Sequence, residues 1–429
     1  MPKSIVTRGM YVAFFFLAAV AMYILNFWSY KLLSFVPVLD KVCQHDDQWC
    51  VGVLATARVC FGMAVFHGLM ALLMIRVKNS SDFRAGIQDG WWLFKLVGIV
   101  GITVAAFFIP NEFFVVFGWI ALFGAGGFII IQLVYLIEFA YTWAENWLNK
   151  FEGEAGEENR SYYWLLLIAT AVLYAVALTG TILIYVFFYN GSECWMNATF
   201  PTINILICAL FSLASIHSRV QEAHPNRGTG LLQSGVVTLY CTYLVYSAVS
   251  SEPNSGSFQC NPFDNMGGSV SSVLTGAAFT IVAVCWSTIR MSTKGNDLLE
   301  GGSGATTDSS IQAAEEGDKL LPELNDENIP GSDSHHDDDH HEGKVEDDEK
   351  DEVAYNYSFF HITFMLGVMY VYMIMTDWQI VSGASHSDDF KVDHGFTAVW
   401  VKLSTSWLAA LLYIWTLIAP IVLPGRDWN

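Results

Sequence analysis

Charged residues are scarce in this chain, and their scarcity excludes an ordinary soluble protein. Asp, Glu, Lys and Arg together make up 14% of the 429 residues, whereas soluble domains carry about 25%. Basic residues are the scarcer kind, with 21 Lys and Arg against 41 Asp and Glu. This acidic balance, without any basic stripe, excludes a nucleic-acid-binding protein.

Catalytic motifs are also missing. The sequence has no glycine-rich phosphate-binding loop, no His-Glu-x-x-His helix, and no Ser, His and Asp set near one membrane face. The paired broken helices of many ion-coupled transporters are not evident either. The sequence therefore predicts a protein that is not an enzyme and that uses no metal or cofactor.

Apolar sequence is abundant instead. Hydrophobic residues make up 53% of the chain, and ten stretches approach the ~20 apolar residues that cross a bilayer as a helix. This pattern predicts an all-α, polytopic membrane protein whose first span is an uncleaved signal anchor. The predicted spans are Val6–Tyr30, Val51–Ile75, Gly90–Ile109, Phe113–Trp147, Tyr162–Tyr189, Phe200–Ile216, Thr229–Ser250, Ser269–Ile289, Tyr357–Thr376 and Phe396–Leu423.

The fourth span belongs to a longer helical pattern. No proline interrupts the 39 residues from Glu112 to Lys150, which as a helix would measure roughly 58 Å, nearly twice the hydrocarbon thickness of ~30 Å. Either one helix tilts steeply or projects from the bilayer, or a normal span continues as an amphipathic helix on the membrane surface.

Basic residues set the predicted orientation. With a cytosolic N-terminus, twelve Lys and Arg lie on the cytosolic side and four on the outer side, which satisfies the positive-inside rule. Both termini are then cytosolic. The sequons at Asn190 and Asn197 fall in one outer loop, so both are predicted glycosylation sites.

The same topology places four of the eight cysteines in outer loops, on the oxidising side of the membrane. Four cysteines allow three pairings. We expect Cys43 to pair with Cys50, and Cys194 to pair with Cys260.

Most of the negative charge lies in one predicted cytosolic loop. Between Ser292 and Ala354, 20 Asp and Glu stand against 4 Lys and Arg, which gives −16 of the net −20. Such a segment is predicted to be disordered. Glu316, Leu320 and Leu321 fit an acidic dileucine motif read by clathrin adaptors. The tract His335–His341 is interpreted as a solvated charge run rather than a metal site.

Ionisable residues within the spans are costly and need partners, water or a short route to the interface. Arg58, Lys95, Glu138, Asp377 and Lys402 are therefore the candidates for a polar groove. Similar depths predict that Lys95 pairs with Glu138, and that Lys402 pairs with Asp377. Such pairs either fix helix register or line a track for a charged headgroup or an amino acid.

These features divide the chain into five parts. The first holds three spans, the second the long helix, the third the next four spans, the fourth the acidic loop, and the fifth the last two spans. Their limits are 1–111, 112–150, 151–291, 292–354 and 355–429.

Nine short segments carry a family resemblance that follows the family's order along nearly the whole chain. They are Arg58–Met63, Gly90–Lys95, Gly235–Tyr240, Ser247–Pro253, Cys260–Pro262, Asn356–Met365, Met375–Trp378, Ala398–Trp407 and Trp415–Pro420. In these segments the chain resembles the serine incorporator (TDE/TMS) family.

The resemblance implies ten helices in two bundles linked by one long tilted helix, and it implies activity on lipids. Members of the family were first proposed to deliver serine to phosphatidylserine and sphingolipid synthesis, and were later associated with lipid scrambling. Some animal relatives are restriction factors incorporated into retroviral particles. Relatives usually carry a cysteine-rich stretch before the first helix, whereas this chain begins at Met1-Pro-Lys-Ser.

Three hypotheses about function follow. The first is phospholipid scrambling without ATP, including phosphatidylserine, through a polar groove between bundles. The second is serine carriage for phosphatidylserine and sphingolipid synthesis, and the third is a structural or trafficking role for the acidic loop. The expected partners are phospholipids, sphingolipids, L-serine, clathrin adaptors and further copies of the chain. The expected location is the secretory and endolysosomal system or the plasma membrane.

Overall fold

The computed structural model describes residues 3–32, 48–152, 159–224, 230–254, 260–262, 349–350, 353–379, 381–383, 390–392 and 396–423. The eighth predicted span and the proposed sorting motif at Glu316, Leu320 and Leu321 lie outside these residues, as does Cys43.

The described residues form eleven α-helices and one short β-hairpin. The helices are α1 (Lys3–Leu32), α2 (Gln48–Leu73), α3 (Phe83–Asp89), α4 (Trp92–Ala106), α5 (Asn111–Glu152), α6 (Arg160–Phe188), α7 (Trp195–Ser215), α8 (Ser218–Glu222), α9 (Leu231–Ser250), α10 (Tyr357–Met375) and α11 (Thr397–Val422). The strands, between α10 and α11, are β1 (Val381–Gly383) and β2 (Phe390–Val392), which pair antiparallel.

The all-α, polytopic fold class is confirmed. Within the described residues, eight helices are long and apolar enough to cross a membrane, or nine if one bent pair counts as a span. The predicted number of ten is not confirmed.

The third predicted span, Gly90–Ile109, contains α4, and the short α3 precedes it as the other half of the bent pair. Helices α3 and α4 meet at 75°, because Gly90 is extended and Trp91 takes a left-handed φ of 62°. Asp82 caps α3 by accepting from the Arg84 amide, and hydrogen bonds from Arg84 lower the pKa of this carboxyl. Helix α4 alone has 15 residues, or roughly 22 Å, which is shorter than the hydrocarbon core.

Helix α5 runs without interruption through 42 residues, which corresponds to roughly 63 Å. The structure thus favours one long helix over a span with a separate extension. Small residues let α10 approach its middle closely. A Cβ at Gly124 would overlap the Met369 sulfur, and one at Gly127 would touch Leu366.

Two helix bundles flank α5. Helices α1, α2, α4 and α10 form the first bundle, and α6, α7, α9 and α11 form the second. Helix α5 packs against α2 and α10 on one side and against α6, α9 and α11 on the other. The last two spans, which are consecutive in sequence, therefore belong to different bundles.

One face of the molecule is marked by a disulfide between Cys194 and Cys260, whose Cα atoms are 5.5 Å apart; we call it the disulfide face. This is one of the two predicted pairings. Cys50 is also disulfide-bonded, and its predicted partner, Cys43, lies outside the described residues.

The two sequons on this face differ in accessibility. Asn190 is exposed. Asn197 is 1% exposed, and its Nδ2 donates to the carbonyls of Phe188 and Cys260 at 3.2 and 3.4 Å. A glycan would replace one of the two hydrogens on that nitrogen and needs space that a buried side chain lacks, so the folded structure accommodates a glycan at Asn190 and not at Asn197.

Exchanging each asparagine for glutamine separates the two sequons. We expect Asn190→Gln to remove the mass released by peptide N-glycosidase. Asn197→Gln should retain that mass and lower the free energy of unfolding by about 1–3 kcal/mol, since two buried carbonyls lose their donor. Gel mobility before and after glycosidase treatment shows which variant still carries the glycan. A glycan lost from the Asn197 variant and kept in the Asn190 variant would contradict it.

Candidate functional site

A crevice opens between the two bundles near the disulfide face. It is lined by residues of α5, α9, α10, the turn that follows α10, and α11. Ile129, Leu244 and Ile374 supply apolar surface, and Tyr370 and Trp378 supply aromatic surface. Such a mixed lining suits an amphipathic ligand.

Asp377 and Lys402 form an ion pair in this crevice. Lys402 Nζ lies 3.3 Å from Asp377 Oδ1 and also donates to the Ser247 carbonyl at 3.3 Å and to Ser251 Oγ at 2.6 Å. Ser251 Oγ in turn donates to Asp377 Oδ1 at 3.2 Å. Of the five candidate charges, the structure brings these two together, as their similar depth predicted.

Asp377 has an unusual backbone conformation. It lies just beyond α10, where the Trp378 amide donates to the Met373 carbonyl and the Asp377 amide donates to the Ile374 carbonyl. These two bonds define a Schellman motif, with Asp377 at the left-handed position that glycine usually occupies. The φ angles of Asp377 and Trp378 are 47° and 60°, so both residues are strained.

A buried carboxyl lies next to the crevice. Glu252 follows Ser251 and is 8% exposed. Burial raises the pKa of Glu252, and a hydrogen bond from Asn197 partly opposes that shift. The disulfide face therefore carries a carboxyl that holds its proton more tightly than an exposed one.

Arg58 lies inside the first bundle and not in the crevice. It is fully buried and donates to the Leu54 and Ile109 carbonyls and to Asn111 Oδ1. Its guanidinium carbon also lies 4.3 Å from the centroid of the Phe114 ring. No carboxylate contacts it among the described residues, and its bonds connect α2 to the segment that joins α4 and α5.

Lys95 is also inside the first bundle, and its predicted pairing with Glu138 is wrong. Lys95 Nζ donates to the Gln88 carbonyl at 2.7 Å and lies 3.9 Å from the Trp92 ring centroid and 4.7 Å from that of Tyr11. Glu138 is half-buried on α5 near Tyr135. Equal depth does not ensure contact, because the two residues belong to helices that face different neighbours.

Gln88 is the centre of a buried polar network that the sequence did not reveal. Its side-chain oxygen lies 2.9 Å from His361 Nε2, and its side-chain nitrogen donates to the Tyr355 hydroxyl at 3.2 Å. His361 Nδ1 lies 2.9 Å from His67 Nδ1, so one imidazole donates to the other. The hydroxyl of Tyr11 donates to Gln88 as well. This network joins α1, α2, α3 and α10 on the side opposite the disulfide face.

Comparisons with known proteins agree with the architecture. A family model for serine incorporators (Serinc) matches residues 1–426. The chain belongs to the serine incorporator family. A probable serine incorporator of Dictyostelium discoideum is 39% identical over 100% of this chain and 96% of that protein. Serine incorporator 3 of Mus musculus is 34% identical over 92% of this chain and 84% of its own length.

A yeast protein is also similar to this chain. Membrane protein TMS1 of Saccharomyces cerevisiae is 30% identical over 99% of this chain and 91% of its own length. The protein is thus a multi-pass membrane protein of this family.

The end of the acidic loop departs from the predicted disorder. Glu349 is fully buried, and its carboxylate accepts from the Ala354 amide at 3.0 Å and the Tyr357 hydroxyl at 2.6 Å. Its carbonyl accepts from the Ser80 amide. Glu349, inside the segment that was predicted to be disordered, is therefore held in a defined position. The residues around Glu349 are fixed against the connection between α2 and α3.

The sequence signals for the crevice were incomplete. Asp377 and Lys402 stood out because they are charged residues near helix ends. Ser247, Ser251 and Tyr370 gave no signal, because serine and tyrosine are common in spans and their neighbours depend on how α9 and α10 pack against α11. Only the fold brings Ser247 and Tyr370 into the crevice and Ser251 into contact with its ion pair.

Proposed function

We propose that this protein scrambles phospholipids between membrane leaflets without ATP, along the crevice between its two bundles. The observation that carries the proposal is the Asp377–Lys402 ion pair, placed in a crevice shared by both bundles. A headgroup in hydrocarbon loses its hydrogen bonds to water, and polar groups in a crevice replace some of those bonds. The acyl chains can remain in the bilayer.

The proposed orientation places the disulfide face outside, since disulfides persist in oxidising compartments. The termini and the acidic loop are then cytosolic. In this arrangement the crevice receives headgroups from the outer leaflet. The proposed compartments are the secretory and endolysosomal membranes or the plasma membrane.

Reconstitution tests scrambling directly. Purified protein is placed in liposomes that contain a trace of lipid with a fluorescent headgroup, and dithionite is added outside. We expect the fluorescence to fall well below the inner-leaflet remainder that protein-free liposomes retain. Bleaching that stops at the outer-leaflet share in correctly folded samples would overturn the proposal.

Two tryptophan substitutions localise the path. Ile374 lines the crevice, and Ile374→Trp should fill part of it and slow scrambling several-fold. Leu178 is 59% exposed on α6, so Leu178→Trp is the matched control and should scramble at the unmodified rate. Equal rates for both variants would place the path elsewhere.

A second candidate function is the binding and delivery of L-serine. Relatives carry the name serine incorporator, and a neighbouring carboxylate and ammonium complement the two charged ends of a free amino acid. Uptake of labelled L-serine into the same liposomes tests this. Uptake equal to that of protein-free liposomes would exclude transport of L-serine by this protein.

A further inference from the structure

We propose that Asp377 and Lys402 form a receptor for a zwitterion, in which Asp377 receives an ammonium group and Lys402 receives a phosphate or carboxylate. This inference deepens the proposed function and rests on it, because it assigns chemistry to the same crevice. The two sources of such a ligand are a zwitterionic phospholipid headgroup and a free amino acid.

The ion pair is loose enough to open. Its nitrogen–oxygen distance is 3.3 Å, whereas tight charge-assisted bonds measure about 2.7–2.9 Å. Both described bonds to Asp377 end on Oδ1, so its Oδ2 has no hydrogen-bond partner among the described residues. The Asp377 side chain is 25% exposed. A ligand can therefore approach this carboxylate without first breaking a strong pair.

Ser251 keeps both charges in place when the pair opens. Its hydroxyl accepts from Lys402 at 2.6 Å and donates to Asp377 at 3.2 Å. Lys402 also retains the Ser247 carbonyl. After separation, each charged group still has a hydrogen bond that holds it at the crevice. The site is thus preorganised for two opposite charges a short distance apart.

The backbone conformation at residue 377 indicates that the carboxylate of Asp377 has a function. Glycine is the favoured residue at the left-handed position of a Schellman motif, and Trp378 adds a second left-handed residue. The chain nevertheless carries a carboxylate at this strained position. Strain of this kind is concentrated at binding and catalytic sites.

The rest of the crevice fits the same ligand. Tyr243, Tyr370 and Trp378 line it together with Asp377, and aromatic rings beside a carboxylate favour ammonium groups, including quaternary ones. The centroids of the Tyr370 and Trp378 rings are 5.9 Å apart in an edge-to-face arrangement. We therefore expect the headgroups of phosphatidylcholine and phosphatidylethanolamine to bind better than that of phosphatidylglycerol, which has a phosphate and no ammonium.

The competing explanation is structural, because the pair also joins the end of α10 to α11. Thermal protection distinguishes the two. The purified full chain in detergent is heated with dihexanoyl phosphatidylcholine, phosphatidylethanolamine or phosphatidylglycerol at equal concentrations. The first two should raise the melting temperature of the unmodified protein more than the third. Equal protection by all three lipids would overturn the receptor.

Asp377→Asn and Asp377→Gly sharpen the test. Both remove the carboxylate, and both asparagine and glycine tolerate the left-handed backbone, so at least one should fold. Each should bind the ammonium-bearing lipids about tenfold more weakly and lose the preference over phosphatidylglycerol. Lys402→Gln should weaken all three lipids. A folded Asp377 variant that keeps the preference would refute the assignment.

L-serine and the liposome assay separate the remaining outcomes. Protection by L-serine instead of the lipids, abolished by Asp377→Asn, supports the receptor with a free amino acid as its ligand. A headgroup preference without scrambling leaves the receptor standing and removes the scramblase. Scrambling by a protein without any headgroup preference supports the scramblase and excludes the receptor.

Discussion

Gly52→Ala is expected to destabilise the first bundle strongly, although it adds only one methyl group. Gly52 lies where α2 crosses α1, and a Cβ there would overlap the carbonyl oxygen of Asn26. That oxygen is a backbone atom, so it cannot move aside as a flexible side chain can. The Asn26 side chain also donates to the Met375 carbonyl at 2.8 Å, so a shift of α1 disturbs α10. We expect a loss of about 3 kcal/mol, at the upper end of overpacking costs.

Gly101→Ala is the matched control for this change. Gly101 lies on α4, and a Cβ there meets no heavy atom within 4 Å. Alanine should be neutral or should stabilise the helix by up to about 1 kcal/mol. Unfolding in detergent, followed by circular dichroism, compares the two variants. Equal melting temperatures for the two variants would show that α1 and α2 do not pack this closely at Gly52.

The second large effect is expected at Arg58. Arg58→Met removes the donor of three hydrogen bonds and leaves the Ile109 carbonyl and Asn111 Oδ1 without it. Each buried acceptor that loses its partner costs about 1–3 kcal/mol, so the loss should reach about 3 kcal/mol. Arg58→Lys should also destabilise, because a single ammonium cannot reproduce the fork of the guanidinium. Thermal unfolding measures both losses.

A double-mutant cycle tests whether Asn111 is the coupled partner. Adding Asn111→Leu to Arg58→Met removes the acceptor that the first change deprives of its Arg58 donor. The double variant should therefore lose less stability than the two single losses added together, with a coupling of about 1–2 kcal/mol. Strict additivity would show that the short Arg58–Asn111 contact contributes nothing to stability.

Hydropathy and spacing were sufficient for much of the fold. The absence of proline between Glu112 and Lys150 indicated the long α5, and apolar runs located the other spanning helices that the structure describes. The bend at Trp91 was not predictable in this way. It depends on the extended Gly90 and on one left-handed φ angle at Trp91.

The candidate site was predictable only in part, because depth in the membrane gives one coordinate of three. Asp377 and Lys402 share both depth and direction, and they meet. Lys95 and Glu138 have similar predicted depths but face different helices. Gln88 could not be recognised as a network centre, since its role depends on α3 and on His361, which is more than 270 residues away in sequence.

The position of α10 has a consequence for biosynthesis. Helix α10 packs within the first bundle, yet it follows α2 by roughly 280 residues. A ribosome adds about 5–20 residues per second, so α2 waits on the order of 15 to 60 s for this neighbour. During that interval the imidazole of His67 is in the membrane before His361 has been synthesised. Nascent chains of this protein therefore hold an unfinished polar interior during this interval.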